Sequence, residues 1–197
     1  MLKKILPFFV LLLLWGCGND DTAFVPKPHA YPKVNYPKRE KQHFAEAGCP
    51  YEFDYPAYAK MIRNTEFMGK PVPNDCWYDM YFSDFDAKIH LTYYPIPNQE
   101  YYDKLLTDVY RMANEHTQKA NFIDEIPVKK EGQFIGKLFD ISGPAATPLE
   151  FYLTDEDKHF IRGSLYLNTQ IDPDSLAPIY QFLKDDAVQI INTFVWK

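Results

Sequence analysis

Residues 149–167, LEFYLTDEDKHFIRGSLYL, constrain the fold more than any other stretch of the chain. Two runs that alternate apolar and polar residues flank the acidic turn Asp155-Glu156-Asp157, the pattern of a half-buried β-hairpin. Parity decides which residues share a face. A loop with an odd number of residues groups Leu149, Phe151 and Leu153 with His159, Ile161, Gly163, Leu165 and Leu167. The other face then carries Glu150 opposite Arg162 and Tyr152 opposite Phe160. A two-residue loop sets Phe151 against Arg162, so the odd loop is expected.

The same alternation appears in CWYDMYF and AKIHLTYY, residues 76–82 and 87–94. Cys76, Tyr78, Met80 and Phe82 form one face of a second hairpin with Ala87, Ile89, Leu91 and Tyr93. His90 falls on the opposite face with Lys88 and Thr92, where exposure is expected. Asn98 can cap a helix whose stripe is Tyr102, Leu105, Val109, Met112, Ala113, His116 and Ala120. His116 is therefore expected at a helix–sheet seam. Residues 126–130 read as a short strand, and in QFIGKLFDIS Ile135, Lys137, Phe139 and Ile141 alternate with Phe134, Gly136, Leu138 and Asp140. The loop at 143–148 reads as a tight turn of small residues. Leu176, Ile179, Leu183, Ala187, Ile190, Ile191 and Phe194 mark a closing helix. Pro178 suits only a first turn, which places the cap at Asp174 or Ser175. Residues 51–53 read as a short edge strand and 58–63 as a helical turn. This order implies an α+β fold, a mainly antiparallel sheet covered by helices, spanning residues 46–197.

The N-terminus is organised differently. Lys3 and Lys4 precede an apolar run, residues 5–15, that is too short for a permanent membrane span. It ends in Leu14-Trp15-Gly16-Cys17, which resembles the lipobox of bacterial lipoproteins. Residues 1–16 thus read as a lipoprotein signal peptide and Cys17 as the lipidation site; a plain secretory signal with an incidental cysteine is the rival reading. Acyl chains such as palmitate contribute about 0.8 kcal/mol per buried CH₂, enough in combination for stable membrane anchoring. Gly18 rather than Asp follows the cysteine, which favours an outer-membrane lipoprotein, facing the periplasm. Residues 17–45, with Pro26, Pro28, Pro32 and Pro37, read as a lipidated tether or strap. His29 and His43 are expected to be solvated there. In an oxidising envelope Cys49 and Cys76 read as a disulfide, with two buried thiols as the alternative. The bridge closes a loop of roughly 28 residues and is worth about 3–4 kcal/mol.

Little points to catalysis. The formal charge is −6 without Lys/Arg clusters, which argues against nucleic acid as a partner. Ser164 and His159 sit at odd spacing on one strand and face opposite ways. Nucleophile elbows, phosphate-binding glycine loops and H-E-x-x-H are missing from the sequence. Asp155, Glu156 and Asp157, Asp124 and Glu125, and Asp185 and Asp186 read as solvated surface. No catalytic residue, metal site or cofactor is expected. The 15 Tyr, 15 Phe and 3 Trp exceed the needs of one small core, so exposed aromatics are expected on a partner face.

The lipobox, Pro26-Lys27-Pro28 with Tyr31, YPAYAKM, CWYDMYF, KIHLTYYP, NEHTQKA and the 149–167 hairpin with its closing helix to TFVWK together resemble the gliding motility lipoprotein GldD family of Bacteroidota. The resemblance covers nearly the whole mature chain. It implies a non-catalytic envelope lipoprotein that serves the gliding apparatus and the type IX secretion machinery, with other components of that machinery as partners and the membrane reached through its lipid. An envelope glycan- or small-ligand-binding lipoprotein is the alternative. The element order is also similar to a PsbP/Mog1-like α/β/α sandwich.

Overall fold

The computed structural model describes residues 33–168 and 173–197. Its strands begin with β1 (Lys41–Phe44), β2 (Tyr51–Pro56) and β3 (Lys60–Arg63), followed by the small hairpin of β4 (Glu66–Phe67) and β5 (Lys70–Pro71). Next come β6 (Tyr78–Phe82), β7 (Ala87–Pro95) and helix α1 (Gln99–Glu115). Strands β8 (Phe122–Lys130), β9 (Phe134–Ser142), β10 (Leu149–Thr154) and β11 (His159–Leu167) precede helix α2 (Pro173–Thr193) and β12 (Val195–Trp196). The main sheet is antiparallel, with seven strands in the order β3-β6-β7-β11-β10-β9-β8. A three-stranded sheet, β1-β2-β12, lies apart from it.

The β10–β11 hairpin keeps the expected parity but not the expected partners. Thr154 pairs with Phe160 and the Asp155 N–H donates to the His159 carbonyl, leaving Glu156, Asp157 and Lys158 as the odd loop. Tyr152 therefore lies opposite Arg162, and Glu150 opposite Ser164. Asp155 explains the shift. Its Oδ1 accepts the backbone N–H groups of Asp157, Lys158 and His159 at 3.1, 2.9 and 2.7 Å, so it closes the turn from the strand end. The expected pairs persist as diagonals: Arg162 reaches Glu150 at 2.8 Å, and Tyr152 stacks on Phe160 at 5.4 Å.

Each face of the sheet has its own core. On one side Leu149, Phe151, Leu153, Ile161, Leu165, Met80 and Ile89 meet α2 and the small sheet through Leu183, Ile190, Tyr51 and Phe53. On the other, Phe139, Ile141, Tyr152 and Phe160 pack under Tyr102, Leu105, Val109 and Ala113 of α1. Asn98 caps α1 as expected, its Oδ1 accepting the Tyr101 N–H at 2.9 Å. Cys49 and Cys76 are joined by a disulfide, with Cα atoms 5.5 Å apart.

Several expectations require correction. Residues 58–63 are not a helical turn; 60–63 form the β3 edge strand, paired with β6. Residues 51–53 belong to the middle strand of the small sheet, because Val195 and Trp196 return to pair with Glu52 and Tyr51. Residues 41–44, assigned to the tether, are strand β1 on the other side of β2. The strand expected at 126–130 extends over 122–130; its Pro127 is tolerated because β8 is an edge strand. Helix α2 starts at Pro173, so Asp174 and Ser175 stand inside it rather than capping it, and Pro178 lies beyond its first turn. Proline opens a helix well, since the first N–H groups of a helix lack intrahelical partners in any case.

Close packing leaves no room for a side chain at Gly136. A Cβ on Gly136 would sit 2.0 Å from the Tyr152 carbonyl oxygen of the neighbouring strand. Gly136→Ala is expected to cost about 3 kcal/mol and lower the melting temperature by roughly 6–12 °C in a thermal unfolding scan.

Candidate functional site

Polar chemistry gathers on the α1 side of the sheet. Parity puts Asp79, His90, Ser164 and Glu150 side by side there, on four adjacent strands in direct register. At one end of this row Glu150 is 2% exposed and receives Arg162 Nη2 at 2.8 Å and His116 Nε2 at 3.4 Å. His116 thus occupies the helix–sheet seam expected of it. Burial pushes the Glu150 carboxyl up, but the bonds from His116 and Arg162 outweigh it and hold it below its ordinary value. Glu150 Oε2 and Arg162 Nε remain without hydrogen-bond partners.

Asp79 and His90 hold the other end. His90 Nδ1 lies 2.5 Å from Asp79 Oδ1, while Lys88 Nζ approaches Oδ2 at 2.7 Å and Asn64 Nδ2 approaches Oδ1 at 2.9 Å. Burial raises the Asp79 carboxyl, yet these three bonds prevail and keep it well below the usual carboxylate range. His90 is not exposed as expected: only 7% of its surface is accessible, and its Nε2 has no partner. The cover comes from the β4–β5 hairpin. Phe67 lies flat on the imidazole, centroids 5.1 Å apart and planes 17° apart, and Trp77 meets it edge-on at 5.8 Å. The hairpin turns through Met68 and Gly69, whose φ angles of 51° and 76° match a type I′ turn. A methionine in that conformation costs about 1–2 kcal/mol, and Met68 is 87% exposed.

An Asp–His–Ser row invites comparison with an acyl-transfer triad, but the assembly is incomplete. Ser164 is buried opposite His90, and no hydrogen bond reaches it from His90 Nε2. The odd spacing of Ser164 and His159 along β11 sets them on opposite faces, as expected from the sequence. His159 faces away, its Nδ1 within 2.8 Å of the Tyr93 hydroxyl and its ring stacked on Trp196 at 5.1 Å. His43 is exposed but paired with Asp54 at 2.8 Å. The Asp155 carboxylate is engaged by its own turn.

The chain before β1 straps across α2. Arg39 Nη2 donates to the Phe182 carbonyl at 3.0 Å and to Asp185 at 3.1 Å, and its guanidinium lies 4.3 Å above the Phe182 ring. Its Nε stands 3.4 Å from Asp186 Oδ1, an ion pair without hydrogen-bond geometry. Asp186, expected at the surface, is 1% exposed and accepts the Tyr58 hydroxyl. Burial raises its carboxyl against the pull of Tyr58 and Arg39. Cys17 and His29 lie outside the described residues.

The fold and its surface define a small α/β/α sandwich domain with a strapped N-terminal approach. The chain belongs to the gliding motility lipoprotein GldD family, whose model matches residues 21–196, and so stands among the envelope lipoproteins of gliding motility. Two solved structures are similar. Cyanobacterial PsbP (CyanoP) from Synechocystis aligns over 84% of this chain and 98% of its own, at 16% identity and a TM-score of 0.45. The Ran-binding protein Mog1p of Saccharomyces cerevisiae aligns over 80% and 95%, at 11% identity and a TM-score of 0.43. No curated protein matches the chain. Among the described residues no helix is long and apolar enough to cross a membrane.

The Glu150 cluster makes a stability prediction. Its folded pKa is depressed, so its contribution is present above the ordinary Glu value of about 4.3 and lost as pH falls through the folded value. Glu150→Leu leaves Arg162 buried without its anion and is expected to cost about 3–5 kcal/mol in urea unfolding at pH 7. Adding Arg162→Met should recover most of that loss, and both variants should show a flatter acid limb.

Proposed function

We propose that this lipoprotein is an accessory component of the gliding and type IX secretion machinery, acting through protein contacts rather than catalysis. In this reading Cys17 carries the acyl chains and the domain faces the periplasm from the outer membrane, tethered by the proline-punctuated segment that follows. The supporting observation is a set of exposed apolar side chains on the α2 side of the sheet, with Asp124 between two of them. Phe122 and Ile126 of β8 are 60% and 38% exposed, and Val188 of α2 is 37% exposed. Beside Phe122 lies a cavity of about 310 Å³ lined by Ile141, Gly143, Ala145, Leu176, Ala177 and Tyr180. Apolar groups that break the surface next to a recess suit a protein interface.

The aromatic excess does not all reach the surface. Tyr51, Phe53, Phe82, Phe139, Phe151, Phe160 and Phe194 are fully buried, because the sheet fills a core on each face. Among the described residues Tyr36, Phe67 and Phe122 are the exposed aromatics, which sharpens the test.

A photo-crosslinking amino acid at position 122, used in cells, is expected to trap proteins of the machinery. Recovery of lipid or glycan alone would defeat the contact role. Phe122→Asp should leave the fold intact and abolish capture. Cys17→Ser is expected to move the protein from the membrane to the soluble periplasmic fraction; unchanged fractionation would rule out the anchor.

A further inference from the structure

The β4–β5 hairpin has little to keep it in place. Among the described residues it pairs with no other strand, its own two being joined through Glu66 with Pro71 and Phe67 with Lys70. Two-stranded hairpins alone are marginal in water. Its base is pinned by Asn64, whose N–H donates to the Trp77 carbonyl at 2.8 Å, and its tip rests on the domain through the Phe67 ring, itself 46% exposed, lying on His90 and edge-on to Trp77 at 5.8 Å. Beneath it is a built floor. Trp77 is buried, with its Nε1–H bonded to the Tyr93 carbonyl at 2.9 Å and its ring edge-on to Tyr94 at 5.4 Å. His90 is fixed through Nδ1 by Asp79, and Asp79 by Lys88 and Asn64. The buried His90 Nε2 is left without a partner, which natural structures seldom leave unexplained.

We propose that the hairpin is a flap, and that Trp77, His90 and Asp79 beneath it bind a carbohydrate. Phe67 holds the place of the ligand's apolar ring face. A sugar entering as the flap lifts stacks its C–H face on the floor, and a hydroxyl gives His90 Nε2 its missing hydrogen bond. Neighbouring hydroxyls reach the spare lone pairs of Asp79 and the amide of Asn64. An aromatic side chain from a protein fits the stacking position equally well, but offers at most one polar atom to a floor that presents several. The described geometry favours the sugar for that reason.

This site sits near the β3 edge of the sheet, whereas the proposed protein margin follows the opposite edge, β8. Carbohydrate binding and machinery contacts therefore stand or fall separately.

The test uses the mature chain with chitotetraose, a peptidoglycan disaccharide-peptide and a tyrosine-rich peptide as probes, read by tryptophan fluorescence and by the NMR shifts of the His90 ring. At least one saccharide probe is expected to bind and to shift the His90 ring signals. Phe67→Ala removes the flap's competing ring and should tighten saccharide binding about tenfold. His90→Phe keeps a ring but loses Nε2 and should weaken it at least tenfold; circular dichroism checks that both variants fold. No saccharide binding even in Phe67→Ala would overturn the proposal. So would binding indifferent to His90→Phe, unmoved His90 signals in the wild-type protein, or uptake of the tyrosine-rich peptide in preference to every saccharide.

Discussion

Phe151 lying across Gly163 sets the parity on which both faces of the molecule depend. The ring fills the space where a Cβ at position 163 would stand, 2.3 Å from its nearest atoms. Phe151 thereby fixes the inward side of β10 and β11, with Leu149, Leu153, Ile161 and Leu165 at most 1% exposed beside it. A one-residue slip would turn Glu150, Arg162 and Ser164 into the α2 core and carry the apolar set under α1. The register continues from β11 into β7 and β6, so the row from Asp79 to Glu150 is a consequence of the same choice. Along β6, β7, β11 and β10 the polar set therefore lies under α1, while Asp140 and Asp186 on the α2 side are held by Lys184 and Arg39.

Alternation made this division readable before any coordinates. Cys76 to Phe82, Ala87 to Tyr93 and Leu149 to Leu167 carry the period of strands, and the α1 stripe carries the helical one; the half-buried hairpin expected at 149–167 is instead covered on both faces, with all of β10 buried. Partner offsets were less legible. The acidic run at 155–157 looks like loop on composition, yet Asp155 acts as the end of a strand because its carboxylate gathers three backbone N–H groups. Short strands were the weakest signal. β3 and β1 have four residues each, and what makes them strands is pairing with β6 and β2 rather than a pattern of their own.

The candidate site was hidden for a related reason. His90 reads as exposed because it alternates with Ile89 and Leu91, and alternation gives a side chain's direction without saying what covers it. Its cover is Phe67, which comes from a hairpin with no apolar run and a turn closed by Met-Gly instead of the usual Asn-Gly. Asp186 misled similarly: as one of two adjacent acids it looks solvated, but Tyr58 and the strap close over it. Both cases join segments distant in sequence, and neither leaves a local trace.

Strap and flap lie on opposite sides of the main sheet. Arg39 fastens the N-terminal approach to α2, while Phe67 closes over His90 on the α1 side. The strap is held by a guanidinium that meets a carbonyl, two carboxylates and an aromatic face together; the tip of the flap rests on the domain through a half-exposed ring. These fastenings differ in strength for a physical reason. Opening the strap would strip a nearly buried carboxylate of its cation, whereas lifting the flap uncovers mainly apolar surface and frees an imidazole nitrogen that lacks a partner when closed. The N-terminal approach thus enters the fold at a fixed point against α2, while the β4–β5 hairpin lies over the opposite face of the sheet. The same parity that separates the two cores keeps these two fastenings on separate faces.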